Sequence, residues 1–235
     1  MLLSCRHHCM LCLSSHRSPD VICEPCLHAL PWMGHHCFTC AQPLPVQQQY
    51  CGRCITLSAP YHTILAPFYY QQPLSMLVSA LKFSNHLGMA YTFARLMMPI
   101  LLRHYQDYPW PQCIIPVPLH RSRLVQRGYN QALEISNYLA RAFSIPIKRF
   151  DCQRNRATES QRELKRERRW QNLAGAFSTT NELPYQHVAI VDDVVTTEST
   201  IRAVCDSLQS AGVRNIDVWC IARTPQQNPP SRKKL

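Results

Sequence analysis

The spacing of apolar positions changes character near residue 60. Beyond it, Leu74 to Phe83, Tyr91 to Tyr105 and Tyr129 to Phe143 carry apolar residues at helical spacing. Cys113-Ile114-Ile115-Pro116-Val117-Pro118 reads as a short buried strand ended by its prolines. His187-Val188-Ala189-Ile190-Val191 is an apolar strand running straight into Asp192-Asp193. A helix follows from Thr200 to Ala211, stopped by Gly212, and then a strand from Ile216 to Ala222. Strands that alternate with helices predict an α/β fold: a mainly parallel sheet flanked by helices, with ligand sites at the carboxyl ends of its strands. Before residue 60 the periodicity gives way to cysteines.

Nine of the 13 Cys precede residue 55, and eight of them form four C-x-x-C pairs: Cys9/Cys12, Cys23/Cys26, Cys37/Cys40 and Cys51/Cys54. Ten residues separate each pair from the next. A C-x-x-C turn points two thiolates at one tetrahedral ion, so two pairs complete a closed Cys₄ zinc site and eight cysteines make two. Sequential pairing would give two small knuckles; alternate pairing would give a cross-braced unit like a RING. Disulfides need an oxidising compartment, and a redox C-x-x-C would normally occur once, near a βαβ unit. Cys5, His7, His8, His35 and His36 are read as solvated polar residues beside better-spaced thiols. A head of about 55 residues builds little core, so metal would supply its folding free energy, and closed sites carry no catalytic role.

Composition adds a sign and a scarcity. Among 235 residues, 25 Lys and Arg against 14 Asp and Glu give a formal charge of +11, which favours anionic partners. A 46% hydrophobic content excludes fibrous and disordered classes, while only 6 Gly leave few residues suited to positive φ. The N-terminus has no apolar run of signal-peptide length and no stretch approaches a membrane span, so a cytoplasmic, soluble protein with reduced thiols and no membrane insertion is expected. The predicted organisation is a double zinc-binding head over 1–58, a substrate-binding domain over 59–224 and a disordered basic tail over 225–235.

The informative segment is Val191-Asp192-Asp193-Val194-Val195-Thr196-Thr197-Glu198-Ser199-Thr200. A strand delivers two carboxylates, and a loop of hydroxyls and backbone N–H groups then opens a helix whose N-terminus favours an anion. Carboxylates suit ribose hydroxyls, and the loop suits a phosphate. The alternative is an ordinary helix start, with Thr and Ser as caps and Asp193 in a turn. The segment resembles the motif of type I phosphoribosyltransferases that binds phosphoribosyl pyrophosphate (PRPP). The wider chain is similar to the ComF family of competence-associated proteins. It has a C-x-x-C head, Ala80-Leu81-Lys82-Phe83, Pro116-Val117-Pro118-Leu119 with Arg121, and Arg127-Gly128-Tyr129-Asn130-Gln131. These are followed by Arg156-Ala157-Thr158 with Gln161, Arg168 and Asn172, and then Gly175-Ala176-Phe177.

That resemblance implies a type I phosphoribosyltransferase-like fold in which Asp192 and Asp193 hold the ribose and Thr196 to Thr200 hold the 5′-phosphate. It makes Leu119, His120 and Arg121 the pyrophosphate loop and Thr158 to Asn172 a hood over the substrate. It also implies PRPP with Mg²⁺ as ligands, and single-stranded DNA and a competence helicase or other DNA-processing proteins as partners in DNA uptake. One position departs from the family: its loop has Gly where this chain has Glu198. An inward Glu198 would repel the phosphate and an outward one would not. Between residues 121 and 169, thirteen cations against five acids leave a net +8, more than a pyrophosphate needs. That excess suggests single-stranded nucleic acid, with Tyr129 and Trp170 as stacking platforms beside Arg127, Asn130, Gln131 and Arg156. Two functions follow: a phosphoribosyltransferase, or a PRPP-sensing or nucleic-acid-binding module whose transferase site is vestigial.

Overall fold

A computed structural model describes residues 7–83, 86–156, 175–179 and 182–226. Its centre is a five-stranded sheet built from β3 (Thr63–Leu65), β4 (Phe68–Tyr69), β5 (Cys113–Pro116), β8 (His187–Val195) and β9 (Asn215–Arg223). The order is β3-β9-β8-β5, with β4 continuing along β9 beyond β3, and every pairing in this sheet is parallel. β8 and β9 are almost wholly buried, as the continuous apolar runs in their sequences require.

Helices cover both faces. α3 (Leu74–Phe83), α4 (Gly88–His104) and α6 (Gln131–Phe143) pack with Leu77, Phe93, Ile135 and Trp219 into one core. α7 (Ser199–Ser210) packs Ile201, Val204 and Leu208 with Ile190 and Val218 into the other. Among the described residues, no helix is long and apolar enough to cross a membrane.

Three elements differ from the sequence pattern, each for a local reason. β8 does not stop at Val191: its ladder with β9 continues through Asp192, Val194 and Val195, so both acids sit on a strand and Asp193 is not in a turn. α6 begins at Gln131 because the Asn130 side chain caps it, accepting from the Ala132 N–H at 3.0 Å. A short helix, α5 (Arg121–Arg127), follows directly on Leu119 and His120 and takes in Arg121, the last residue of the expected loop; it buries no residue, so it leaves no apolar periodicity to read.

The head is two similar knuckles. The first holds the hairpin of β1 (His7–His8) and β2 (Ser15–His16) and the short helix α1 (Glu24–His28); the second ends in α2 (Gly52–Thr56). Neither knuckle has a core of its own. Cys9, Ile22, Cys23 and Leu30 join the α3/α4/α6 core, and Ala41 joins the α7 core.

At the amino-terminal edge of the sheet, Asp217 is 1% exposed. Its Oδ2 accepts from the Tyr105 hydroxyl at 2.7 Å and lies 2.8 Å from His187 Nε2, while Oδ1 lies 3.2 Å from His62 Nδ1. Burial alone would raise this carboxyl, but hydrogen bonds from His187, His62 and Tyr105 outweigh it and hold the group well below the usual carboxylate range. Trp219 Nε1 donates to the Tyr105 oxygen at 2.9 Å and fixes that donor in turn. Tyr105→Phe removes one donor from a buried carboxylate and is expected to cost about 1–3 kcal/mol, read as a lower midpoint in urea unfolding followed by circular dichroism.

Candidate functional site

The acidic pair enters the site on β8, where successive side chains point to opposite faces of the sheet. Asp193 is buried and its Oδ2 lies 2.9 Å from Lys82 Nζ, near the end of α3. Each acid also accepts from the following backbone N–H: Asp192 Oδ1 from Asp193 at 2.8 Å and Asp193 Oδ1 from Val194 at 2.6 Å. Burial, and after it the charge of Asp193, push the Asp192 carboxyl up to about 7. Lys82 belongs to the Ala80–Phe83 motif, but the sequence pattern gives it no role; its place beside Asp193 is set by the packing of α3.

The loop after β8 turns at Glu198, the residue before α7, which has φ 65° and ψ −6°. This is the left-handed conformation for which glycine is the usual occupant, and Glu adopts it here because its side chain is held from three sides. Arg223 Nη2 lies 2.5 Å from Oε1, Arg53 reaches both oxygens at 3.3 Å, and Arg202 Nε and Nη2 reach Oε2 at 3.4 Å. Arg223, itself fully buried, also donates to the carbonyls of Cys40, Val195 and Thr196. The carboxylate is therefore neither solvated nor aimed uncompensated at a ligand. Three guanidinium charges against one carboxylate leave +2 beside the loop. The loop's hydroxyls remain, with Thr197 Oγ1 and Ser199 Oγ 3.1 Å apart.

Around these groups opens a cleft with about 210 Å³ of internal space. It is lined by Leu119, Arg127, Asn130, Gln131 and the whole run Asp192, Asp193, Val194, Val195, Thr196, Thr197, Glu198, Ser199 and Thr200. Lys82, Arg123 and Arg154 add cations to its wall, and sequence reasoning assigns none of the three to the site. The N–H₂ of Gln131 is buried here without a hydrogen-bond partner among the described residues, while its oxygen accepts from Arg127 at 2.9 Å.

Other expected residues lie elsewhere. His120 caps α5, its Nδ1 2.8 Å from Ser122 Oγ, and Arg121 lines the neighbouring groove, leaving Arg123 and Arg127 as the cations of that helix facing the cleft. Asn130 links α6 to the strand end by donating to the Val117 carbonyl at 3.0 Å. Tyr129 is part-buried against the core and its hydroxyl donates to the Leu81 carbonyl, so it is not a free stacking platform. Arg156 is exposed just after β6 (Cys152–Arg154), which pairs antiparallel with β7 (Phe177–Thr179). Thr158, Gln161, Arg168 and Trp170 lie outside the described residues. The adjoining groove instead presents Phe150, 65% exposed with Arg149 stacked 4.6 Å from its ring centre.

The cysteines gather as two groups of four in sequential pairing, Cys9, Cys12, Cys23 and Cys26, then Cys37, Cys40, Cys51 and Cys54. Cys12 Sγ and Cys23 Sγ are 3.6 Å apart, as are Cys40 and Cys51. A disulfide would require about 2.0 Å. Thiolates 2.3 Å from a tetrahedral zinc stand about 3.8 Å from one another, which is close to the spacing found. Backbone N–H groups of Leu11 and Cys51 point at Cys9 Sγ and Cys37 Sγ, the outer contacts that orient such ligands.

Removing the loop carboxylate strands a buried Arg223. Glu198→Ala is expected to destabilise the protein by about 3–5 kcal/mol. Glu198→Gly recovers about 1–2 kcal/mol of that by relieving the left-handed backbone. Both should lower the thermal midpoint, Ala further than Gly.

Residues 127–235 match the profile described as a phosphoribosyl transferase domain. "Competence protein F" of Haemophilus influenzae is 35% identical over 224 residues, covering 92% of this chain and 96% of that protein. "DNA utilization protein YhgH" of Escherichia coli K12 is 34% identical over 207 residues, covering 86% and 90%. Among solved structures, the purine phosphoribosyltransferase from Pyrococcus horikoshii is similar at 19% identity and a TM-score of 0.31, covering 68% of this chain and 95% of that one. With a parallel sheet in place and relatives matched along nearly its whole length, this chain belongs to the ComF family of phosphoribosyltransferase-like proteins.

Proposed function

We propose that the cleft binds PRPP with Mg²⁺ and that the protein handles single-stranded DNA during uptake. The observation that carries this reading is the convergence, in one cleft, of the Asp192/Asp193 pair, the Thr196–Thr200 loop at the start of α7 and the cations Lys82, Arg123, Arg127 and Arg154. Carboxylates accept from ribose hydroxyls, the loop and the +2 beside it favour the 5′-phosphate, and the arginines favour the pyrophosphate. Mg²⁺, a hard ion suited to phosphate and hydroxyl oxygens, would neutralise the remaining pyrophosphate charge. In transfer, the bond from ribose C1 to the pyrophosphate oxygen breaks, so positive charge grows on the ribose and negative charge on the leaving group. Asp192 and Asp193 stabilise the first; Arg123, Arg127 and Arg154 stabilise the second.

The DNA role is supported by the names of the relatives, "Competence protein F" and "DNA utilization protein", and by the groove beside the cleft, which carries Arg121, Arg149 and the exposed Phe150. The two cysteine groups are proposed as structural zinc sites in a head over 1–58, joined to the transferase-like domain over 59–224, in a cytoplasmic protein. A module that binds without transferring is the second reading. It is favoured by the Lys82–Asp193 ion pair, which already occupies one of the two acids.

Calorimetry with PRPP should show binding that depends on Mg²⁺. Loss of the charged hydrogen bonds in Asp192→Ala should weaken it by about 10- to 150-fold, equivalent to about 1.5–3 kcal/mol. With the Asp192 carboxyl at about 7, well above the usual carboxylate range, the neutral form dominates at pH 6 and the ribose-accepting form at pH 8. Affinity should therefore rise across that interval in the natural chain and rise less in Asp192→Asn. Pyrophosphate release in the presence of candidate acceptors separates transfer from binding alone; none with any acceptor leaves the binding module. Fluorescence anisotropy with a single-stranded oligonucleotide should show salt-dependent binding that weakens in Phe150→Ala by about 1–3 kcal/mol, the worth of one stacked base.

A further inference from the structure

The opposite edge of the sheet carries ligand-type side chains that the proposed function does not use. His62, just before β3, His104, at the end of α4, and Asp217, on β9, each bring one ligand atom within 4.8 Å of the other two. The two Asp217 oxygens are divided between tasks. Oδ2 is taken by the Tyr105 hydroxyl and His187 Nε2, while Oδ1 faces His62 at 3.2 Å. Donor atoms 2.0–2.1 Å from a tetrahedral zinc stand about 3.3 Å apart, so the His62–Asp217 spacing already matches one edge of such a site.

A buried aspartate paired with His62 and His187 would be complete as a hydrogen-bonded group, but that arrangement leaves His104 unexplained. Its Nε2 is buried with no hydrogen-bond partner among the described residues, an uncommon state for a polar atom. The ring is nonetheless fixed: it stacks on Tyr108 at 4.6 Å and 11° and meets Tyr105 edge-on at 4.8 Å. His62 is likewise set against Phe38 at 5.3 Å, edge to face. The carboxylate has its outer partners as well, Tyr105 and, behind it, Trp219. Oriented imidazoles and a carboxylate anchored through its far oxygen are the supports that metal ligands ordinarily have.

We propose that His62, His104 and Asp217 form a zinc-binding site, separate from both cysteine groups. Two imidazole nitrogens with one carboxylate oxygen suit zinc; an all-oxygen shell would suit magnesium or calcium, and thiolates would suit softer ions. Three protein ligands leave a fourth position, and the His62 side chain, 41% exposed, puts it within reach of water or a small external ligand.

The test is a Co²⁺ titration of the full chain loaded beforehand with only two Zn²⁺ per chain, which the two thiolate groups take first, followed by absorbance. Cobalt held by histidine and carboxylate gives visible d–d bands alone, whereas cobalt entering the cysteine groups adds a near-ultraviolet thiolate charge-transfer band. The two sites therefore report separately, whatever the cysteines hold. One Co²⁺ per chain without the thiolate band is expected. His62→Ala and His104→Ala should each weaken it by more than the roughly 10- to 100-fold that loss of an outer partner costs, and Tyr105→Phe should cost about 10- to 100-fold. Circular dichroism checks that each variant is folded. No thiolate-free binding, or binding unchanged in both histidine variants, overturns the site.

Discussion

A carboxylate with no solvent exposure, gripped by three guanidinium groups, fixes the shape of the loop between β8 and α7. Glu198 binds Arg53 of the second knuckle, Arg202 of α7 and Arg223 of β9, and Arg223 goes on to the Cys40 carbonyl. Loop, helix, sheet and head thus meet at one charge. In a low-dielectric setting such a group is stable only when complete, because each member left unpaired costs more than the pairing gained. A glycine at 198 would give the loop its turn through backbone freedom; this chain obtains the same turn from side-chain contacts.

The sheet separates two kinds of chemistry. At the carboxyl edge of β8, adjacent acids are crowded, so burial and mutual repulsion hold Asp192 protonated to about neutral pH. At the amino edge, Asp217 is more fully buried but surrounded by donors, and its carboxyl goes the other way. The deeper acid is the one shifted down, so hydrogen-bond partners and not depth decide which of them responds near pH 7.

Much of this was legible from local pattern. The parallel sheet, α3 and α7 follow from apolar runs and helical spacing, and the cysteine groups from C-x-x-C spacing, because each depends on residues close together in the chain. The loop and acidic pair, adjacent in sequence, line one cleft, but the sequence pattern ends β8 at Val191 since two acids look like a strand end; only the ladder with Cys220, Ala222 and Arg223 shows that it continues. Sequential pairing of the cysteines needed coordinates, as both pairings share one spacing. The role of Glu198 was not legible at all. Its partners lie 145 residues upstream, 4 residues on and 25 residues on, and no periodicity joins them.

The head's two knuckles share their cysteine spacing but not their surroundings. One contributes Ile22 and Leu30 to the core under α3, α4 and α6; the other places Ala41 in the core under α7 and Arg53 on the loop. Since the sheet lies between those cores, the two knuckles clasp it from both sides. A cut at residue 58 would uncover apolar surface on two faces and release the loop carboxylate's outermost arginine. The boundary visible in the cysteine pattern marks a change in how the chain is written and not a seam along which the protein could be divided, which makes the head an unsuitable piece to exchange between relatives.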